Sequence, residues 1–197
     1  MLAANPAMQI QCLRPGNEQS PLLLVDNFLA KPELLVADAC QQSFSANSPY
    51  YPGVRAPAPL AYQQVLLQSL TPVLREIFAL PAGALSFSVC HYSLVTTAPE
   101  QLKLLQRIPH FDTTEKHALA AVHYLFHGNH GGTAFYRHRQ SGFETIDDSR
   151  AAQYYRALET ENDGPNLPGR DAGYIHGDTP LFSQIAEAEG VFNRLVI

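Results

Sequence analysis

Two side chains that bind metal ions well lie two residues apart in the segment Ile108–Asp112. We expect this segment to be a strand, in which residues i and i+2 leave the same face, so that the His110 imidazole and the Asp112 carboxylate project side by side. Such a pair supplies two of the three ligands of a 2-His-1-carboxylate iron site. The alternative is a buried, hydrogen-bonded His–Asp pair that holds no metal.

The residues that follow are predicted to form a hairpin beside this pair. Ala120–Phe126 is apolar and rich in residues that favour strands, and Gly131–Gly132 indicates a turn or bulge that returns the chain into Thr133–Tyr136. The hairpin would then form part of the wall around the two candidate ligands.

Hydrophobic periodicity predicts helices and strands elsewhere in the chain. Strands are predicted over 8–13, 22–29, 85–93 and 191–197, and helices over 33–44, 61–80, 150–161 and 181–189. Pro72 is tolerated within 61–80 if a second helix begins there. The segment 162–169 is expected to end the helix before it. The loop 45–59 is predicted to be a packed loop, with a lid or substrate wall as the alternative.

Length and composition fit one globular domain over residues 1–197, with 46% hydrophobic and 16% charged residues. A net charge of -5 without a basic stripe argues against a nucleic-acid partner. Neither a signal peptide nor an apolar run of about 20 residues is apparent, so no membrane partner is expected. The three cysteines are far apart and are predicted to be reduced, buried thiols of a cytoplasmic protein.

The remaining histidines and arginines have structural interpretations as well as functional ones. His123 lies in an apolar strand and is predicted to be a hydrogen-bonded core or pocket histidine. Arg137 and Arg139 would share one face of a strand, with His138 on the other. This basic face is either solvated, or one of its arginines binds a carboxylate through its bidentate fork.

Several short motifs occur along the chain in an order typical of a known family. They are Val25–Leu29, Val89–Tyr92, His110-x-Asp112, Tyr124–Leu125 and Gly131-Gly132-Thr133-x-Phe135. On these motifs the chain resembles the iron(II)/2-oxoglutarate-dependent oxygenases, in the branch similar to prolyl 4-hydroxylase. Tyr51–Gly53, Phe135–Arg139 and Gly142–Glu144 are also similar to a bacterial group of oxygenase-like proteins with no assigned reaction.

The resemblance implies an α+β fold, a double-stranded β-helix (jelly roll) with N-terminal helices packed on its major sheet. It implies that His110 and Asp112 bind Fe(II), with 2-oxoglutarate as cosubstrate, in a dioxygenase that hydroxylates a small molecule, amino acid or peptide. Tyr92 and Tyr124 match positions that contact the cosubstrate or line the pocket. Arg137 is the candidate for binding the cosubstrate carboxylate. The oligomeric state stays open, a homodimer included.

The family's third ligand is a late histidine with a basic residue beyond it, and neither has a counterpart before Ile197. His176 is the only histidine after His138, and its neighbours do not match the family motif. We expect a longer protein that supplies both groups, because 191–197 is an apolar strand without its continuation; iron binding by the present chain would then be weak. The alternative is a non-catalytic ligand-binding jelly roll that has lost the site. A cupin-like metal enzyme ranks last, because an H-x-H cluster is missing.

Overall fold

The computed structural model describes residues 1–46, 48–161 and 164–197. The elements in chain order are β1 (Gln9–Leu13), β2 (Leu22–Asp26), α1 (Glu33–Ala39), β3 (Gly53–Pro57), α2 (Leu60–Ile77), β4 (His91–Val95), 3-10 turns at Pro99–Gln101 and Leu104–Gln106, β5 (Val122–His123), β6 (Gly132–His138), α3 (Asp148–Glu161), β7 (Phe182–Glu189) and β8 (Leu195–Val196). The strand pairs are antiparallel. The fold is therefore mixed α+β.

The largest sheet has four strands in the order β1-β2-β8-β5. Its centre is β2, where Leu22–Val25 is a continuous apolar run that is buried throughout. Such a run is typical of a strand covered on both faces. Val196 of β8 pairs with Leu24 of β2 on one side and with Val122 of β5 on the other, so β8 joins β5 to the sheet.

Helices α1 and α2 pack on this sheet. The buried side chains of α2 recur every four residues, at Tyr62, Leu66, Leu70 and Leu74, and so form one stripe. They share the main hydrophobic core with residues of α1, β2 and β8, including Leu35, Leu23, Val25 and Leu195. No second helix begins at Pro72, because α2 continues through it from Leu60 to Ile77.

The other strands form two separate two-stranded sheets, β3–β4 and β6–β7. Within the described residues the three sheets do not close into one barrel. The predicted hairpin is wrong: β5 pairs with β8, whereas β6 pairs with β7. The predicted helix over 181–189 is also wrong, because β7 occupies these residues. Pairing with β6 overrides the helical propensity of the alternating Ala and Glu residues.

Other boundaries differ from prediction. The strand predicted over 85–93 forms only from His91, and β3 lies in a segment that was expected to be a loop. The first helix ends at Ala39 rather than near Phe44. Asn162 and Asp163, where the helix-ending segment was predicted to begin, lie outside the described residues.

Cys12, Cys40 and Cys90 are all free thiols, but none is fully buried as predicted: Cys12 and Cys40 are exposed, and Cys90 is partly exposed. Cys12 lies on the edge strand β1, and Cys40 follows the end of α1.

No helix in the described ranges has the length and apolarity needed to cross a membrane.

Candidate functional site

His110 and Asp112 lie in an irregular segment between the second 3-10 turn and β5, not in the predicted strand. The side chains nevertheless lie close together, with His110 Nε2 3.7 Å from Asp112 Oδ1. Both are open to solvent: the exposed side-chain fractions are 78% for His110 and 69% for Asp112. The predicted proximity is therefore present, on a surface rather than in a closed pocket.

The segment is attached to the protein by the apolar residues beside this pair. The Phe111 ring lies 6.0 Å from each of the Tyr154 and Tyr155 rings on α3. Ile108 packs against the cluster of Tyr136 and Phe182, from β6 and β7. Phe111 thus contacts the protein while His110 and Asp112, on either side of it, face water.

The donor groups of this segment do not complete a three-ligand iron site. Imidazole and carboxylate groups are both suitable metal ligands. The 3.7 Å between His110 Nε2 and Asp112 Oδ1 is longer than a hydrogen bond, so both groups remain available to a metal ion. However, the described part of the chain contains no cluster of three or more His, Cys, Asp or Glu side chains that could hold a metal ion. The segment offers two ligands of the required three.

Tyr92 belongs to the main core rather than to an open pocket. Its side chain is 8% exposed, and its hydroxyl donates a hydrogen bond of 2.9 Å to Asp38 Oδ2 on α1. Burial raises the pKa of Tyr92, and the bond to the Asp38 carboxylate raises it further. Tyr92 therefore connects β4 to α1 as a neutral phenol.

Tyr124 is buried in a second cluster with Leu22, Leu24, Ala188 and Val196. Its hydroxyl lies 2.6 Å from Thr133 Oγ1 and 3.5 Å from the carbonyl oxygen of Ala188. Burial raises the pKa of Tyr124. This side chain fills the space between the four-stranded sheet and the β6–β7 sheet.

Arg137 and Arg139 each bind a carboxylate, but the carboxylates belong to the protein itself. Arg137 Nε donates to Glu144 Oε1 at 2.6 Å, and Glu144 also accepts the backbone N–H groups of Asn17 and Glu18 at 2.9 Å. These hydrogen bonds lower the pKa of Glu144, although its burial opposes the shift. Arg139 pairs with Asp178 at 3.0 Å in a more exposed position.

His123 is a hydrogen-bonded core histidine, as predicted. Its Nε2 lies 3.2 Å from Asn193 Oδ1, and its ring stacks on Tyr62 at 5.7 Å and meets Phe28 edge-on at 5.5 Å. Burial lowers the pKa of His123 to about 4, with the Asn193 contact opposing the shift. Its buried Nδ1 has no hydrogen-bond partner among the described residues.

Sequence reasoning missed the buried polar contacts of His138. This residue is 2% exposed, with Nδ1 2.9 Å from Ser141 Oγ and Nε2 3.0 Å from Glu161 Oε2. The alternation of side chains along a strand does indicate that His138 faces away from Arg137 and Arg139. This pattern could have indicated its burial. The contact with Glu161 on α3 joins residues too distant in sequence for any local pattern to indicate.

No curated protein and no solved structure matches this sequence. The sequence does match DUF6445, described as a family of unknown function, over residues 6–197. Since this match covers nearly the whole chain, the protein belongs to the DUF6445 family.

Proposed function

We propose that this protein is an Fe(II)/2-oxoglutarate-dependent dioxygenase-like protein in which His110 and Asp112 are two of the iron ligands. The observation that carries the proposal is their proximity of 3.7 Å, with both donor groups accessible. Phe111 supports it, because this ring fixes the segment on α3 while leaving both neighbours outward. The substrate class is a small molecule, an amino acid or a peptide.

The finer fold proposal is a jelly roll. Antiparallel pairing throughout, with α1 and α2 packed on the four-stranded sheet, supports it. The proposal gives Tyr92 and Tyr124 no role as ligands, because both side chains are buried and their hydroxyls already contact Asp38 and Thr133. Arg137 would bind the cosubstrate carboxylate only by exchanging its present partner, Glu144. Three free thiols support a reducing, cytoplasmic location.

The activity test uses protein expressed from the complete coding sequence, supplied with Fe(II), ascorbate and 2-oxoglutarate. We expect succinate formation that is lost in the His110→Ala and Asp112→Ala variants. His117→Ala is the matched control, since His117 is an exposed histidine just beyond the pair. Absence of both succinate formation and His110-dependent iron uptake would refute the proposal.

The second candidate is a non-catalytic ligand-binding protein. Two observations favour it: the pair lies largely in solvent, and no three-ligand group occurs in the described ranges. Calorimetric titration with Mn²⁺, a redox-stable divalent probe, discriminates between the candidates. Heat that disappears in His110→Ala supports the iron site, whereas identical titrations of the parent and variant proteins support the non-catalytic protein.

A further inference from the structure

A cavity of about 430 Å³ lies beside the two 3-10 turns, and neither His110 nor Asp112 is among its lining residues. Its lining includes three cationic side chains, Lys103, Arg107 and Arg170, and one acidic side chain, Glu100. With the lysine and arginines charged, these four groups carry a net charge of +2 in a protein whose overall net charge is -5. The lining of the cavity is thus positively charged, whereas the protein as a whole is negatively charged.

Arg107 is the buried member of this group, with 8% of its surface exposed. Its Nη1 donates to the carbonyl oxygens of Gly169 at 3.0 Å and Pro168 at 3.5 Å, and its Nη2 donates to the carbonyl of Leu102. No carboxylate among the described residues pairs with it. Three neutral carbonyls solvate the guanidinium, but they leave its positive charge uncompensated.

Arg107 also has N–H donors that lack a hydrogen-bond acceptor among the described residues. A guanidinium has five N–H donors, and the carbonyl contacts account for three of them. The Nε atom is buried and has no partner in the described part of the chain. A buried charged donor without an acceptor is costly, so a native structure normally supplies one from protein, water or ligand.

Arg170 and Lys103, the two other cationic residues of the lining, have no carboxylate partner among the described residues. Arg170 is exposed and has no hydrogen bond or ion pair with any described side chain. Lys103 is exposed, and its Nζ donates to the carbonyl oxygen of Pro49 at 3.2 Å, with no further hydrogen-bond partner among the described residues. Since neither contacts a carboxylate in the described ranges, both charges remain available on the rim around Arg107.

We propose that this cavity binds a small oxyanion carrying two negative charges, from a phosphate or a dicarboxylate. Its negative charge would compensate the buried guanidinium of Arg107, its oxygens would accept hydrogen bonds from Lys103 and Arg170 on the rim, and it would balance the net charge of the lining. Planar guanidinium groups suit both oxyanions, because each presents paired oxygens to the fork. This site is separate from the proposed iron site, and its occupancy requires no metal.

The experiment is a calorimetric titration of the metal-free protein with inorganic phosphate and, separately, with malonate, at constant ionic strength. We expect saturable binding of at least one anion, and the comparison assigns the ligand to phosphate or dicarboxylate chemistry. Lys103→Gln and Arg170→Gln should each weaken that binding about tenfold, the loss of one charge-assisted contact. These exposed positions avoid the folding risk of replacing Arg107, which joins two loops.

Two controls separate this site from general charge effects and from the iron proposal. Arg156→Gln removes an exposed positive charge from α3, outside the cavity, and should leave anion affinity unchanged. His110→Ala should also leave it unchanged. Absence of saturable binding for both anions would overturn the proposal, as would equal weakening in Arg170→Gln and Arg156→Gln.

Discussion

The Nε2 atom of His138 lies 3.0 Å from Oε2 of Glu161, across the gap between β6 and α3. The histidine side chain is 2% exposed and the glutamate side chain 17% exposed. The His138 ring also contacts Tyr154 and Phe182, at centroid distances of 5.2 and 5.3 Å. The contact with Glu161 is thus the polar link between β6 and α3, beside the apolar contacts of the same ring with Tyr154 and Phe182.

Replacing Glu161 with Ala should destabilise the protein by about 1–3 kcal/mol, because the buried Nε2–H of His138 would lose its acceptor. Urea unfolding at neutral pH measures the change. Glu159→Ala is the matched control, because Glu159 is an exposed residue of the same helix, and its effect should stay within about 0.5 kcal/mol. Equal effects of the two variants would show that the link is energetically unimportant.

His123 should make the protein less stable as the pH falls from about 6.5 to about 4. Its pKa is lowered to about 4 by burial, from 6.5, so the unfolded state takes up the proton first. The stabilisation is therefore complete above pH 6.5 and is lost as the pH falls toward 4, by about 3 kcal/mol. Urea unfolding across this range measures the slope.

A His123→Phe variant isolates this contribution, since carboxylates also titrate at low pH. The variant keeps an aromatic ring beside Phe28 and Tyr62 but cannot take up a proton, so its stability should fall less on acidification. His117→Gln, at an exposed position, should retain the parent slope. Parallel pH profiles for His123→Phe and the parent protein would contradict the assignment.

Arg194 and Asp26 form a two-bond pair whose geometry lysine cannot reproduce. Arg194 Nε lies 2.6 Å from Asp26 Oδ1, and its Nη2 lies 3.0 Å from Oδ2, linking the residue before β8 to the end of β2. Arg194→Lys should cost about 1 kcal/mol. Arg139→Lys, at the more exposed pair with Asp178, should cost less. Thermal unfolding of both variants checks the order, and the reverse order would contradict this explanation.

The adjacent glycines of the G-G-T motif should differ in their tolerance of alanine. A Cβ atom at Gly132 would collide with the backbone carbonyl of Ala188 on β7, whereas Gly131 has open space but a φ of +82°. Gly132→Ala should therefore cost about 1–3 kcal/mol through overpacking, and Gly131→Ala about 1 kcal/mol through backbone strain. Denaturant unfolding of the two variants measures the difference, and a larger loss at Gly131 would refute it.

Elements with a strong local pattern could be predicted from the sequence. The apolar run of β2 predicts a strand buried on both faces, and the four-residue spacing in α2 predicts a helix with one buried stripe. By contrast, the partners of β5 and β6 depend on residues near the end of the chain, and no local pattern identifies them. The residues of β7 have helical propensity and become a strand only because β6 is available.

In the candidate site, too, some features could be predicted from the local sequence and others depend on distant residues. The spacing of His110 and Asp112 predicts their proximity, but their exposure depends on which elements cover the segment, and this cannot be read locally. Arg107 precedes His110 by three residues and belongs to no motif. Its significance emerges only from burial and from the carbonyls of Leu102 and Gly169, which come from different loops.

Strand β8 is only two residues long, yet it lies between β2 and β5 and joins them in one sheet. If residues 195–196 detached, β5 would lose its pairing partner, because among the described residues β8 is the strand that joins β5 to β2. Release of these two residues should therefore separate β5 from the four-stranded sheet in the same event.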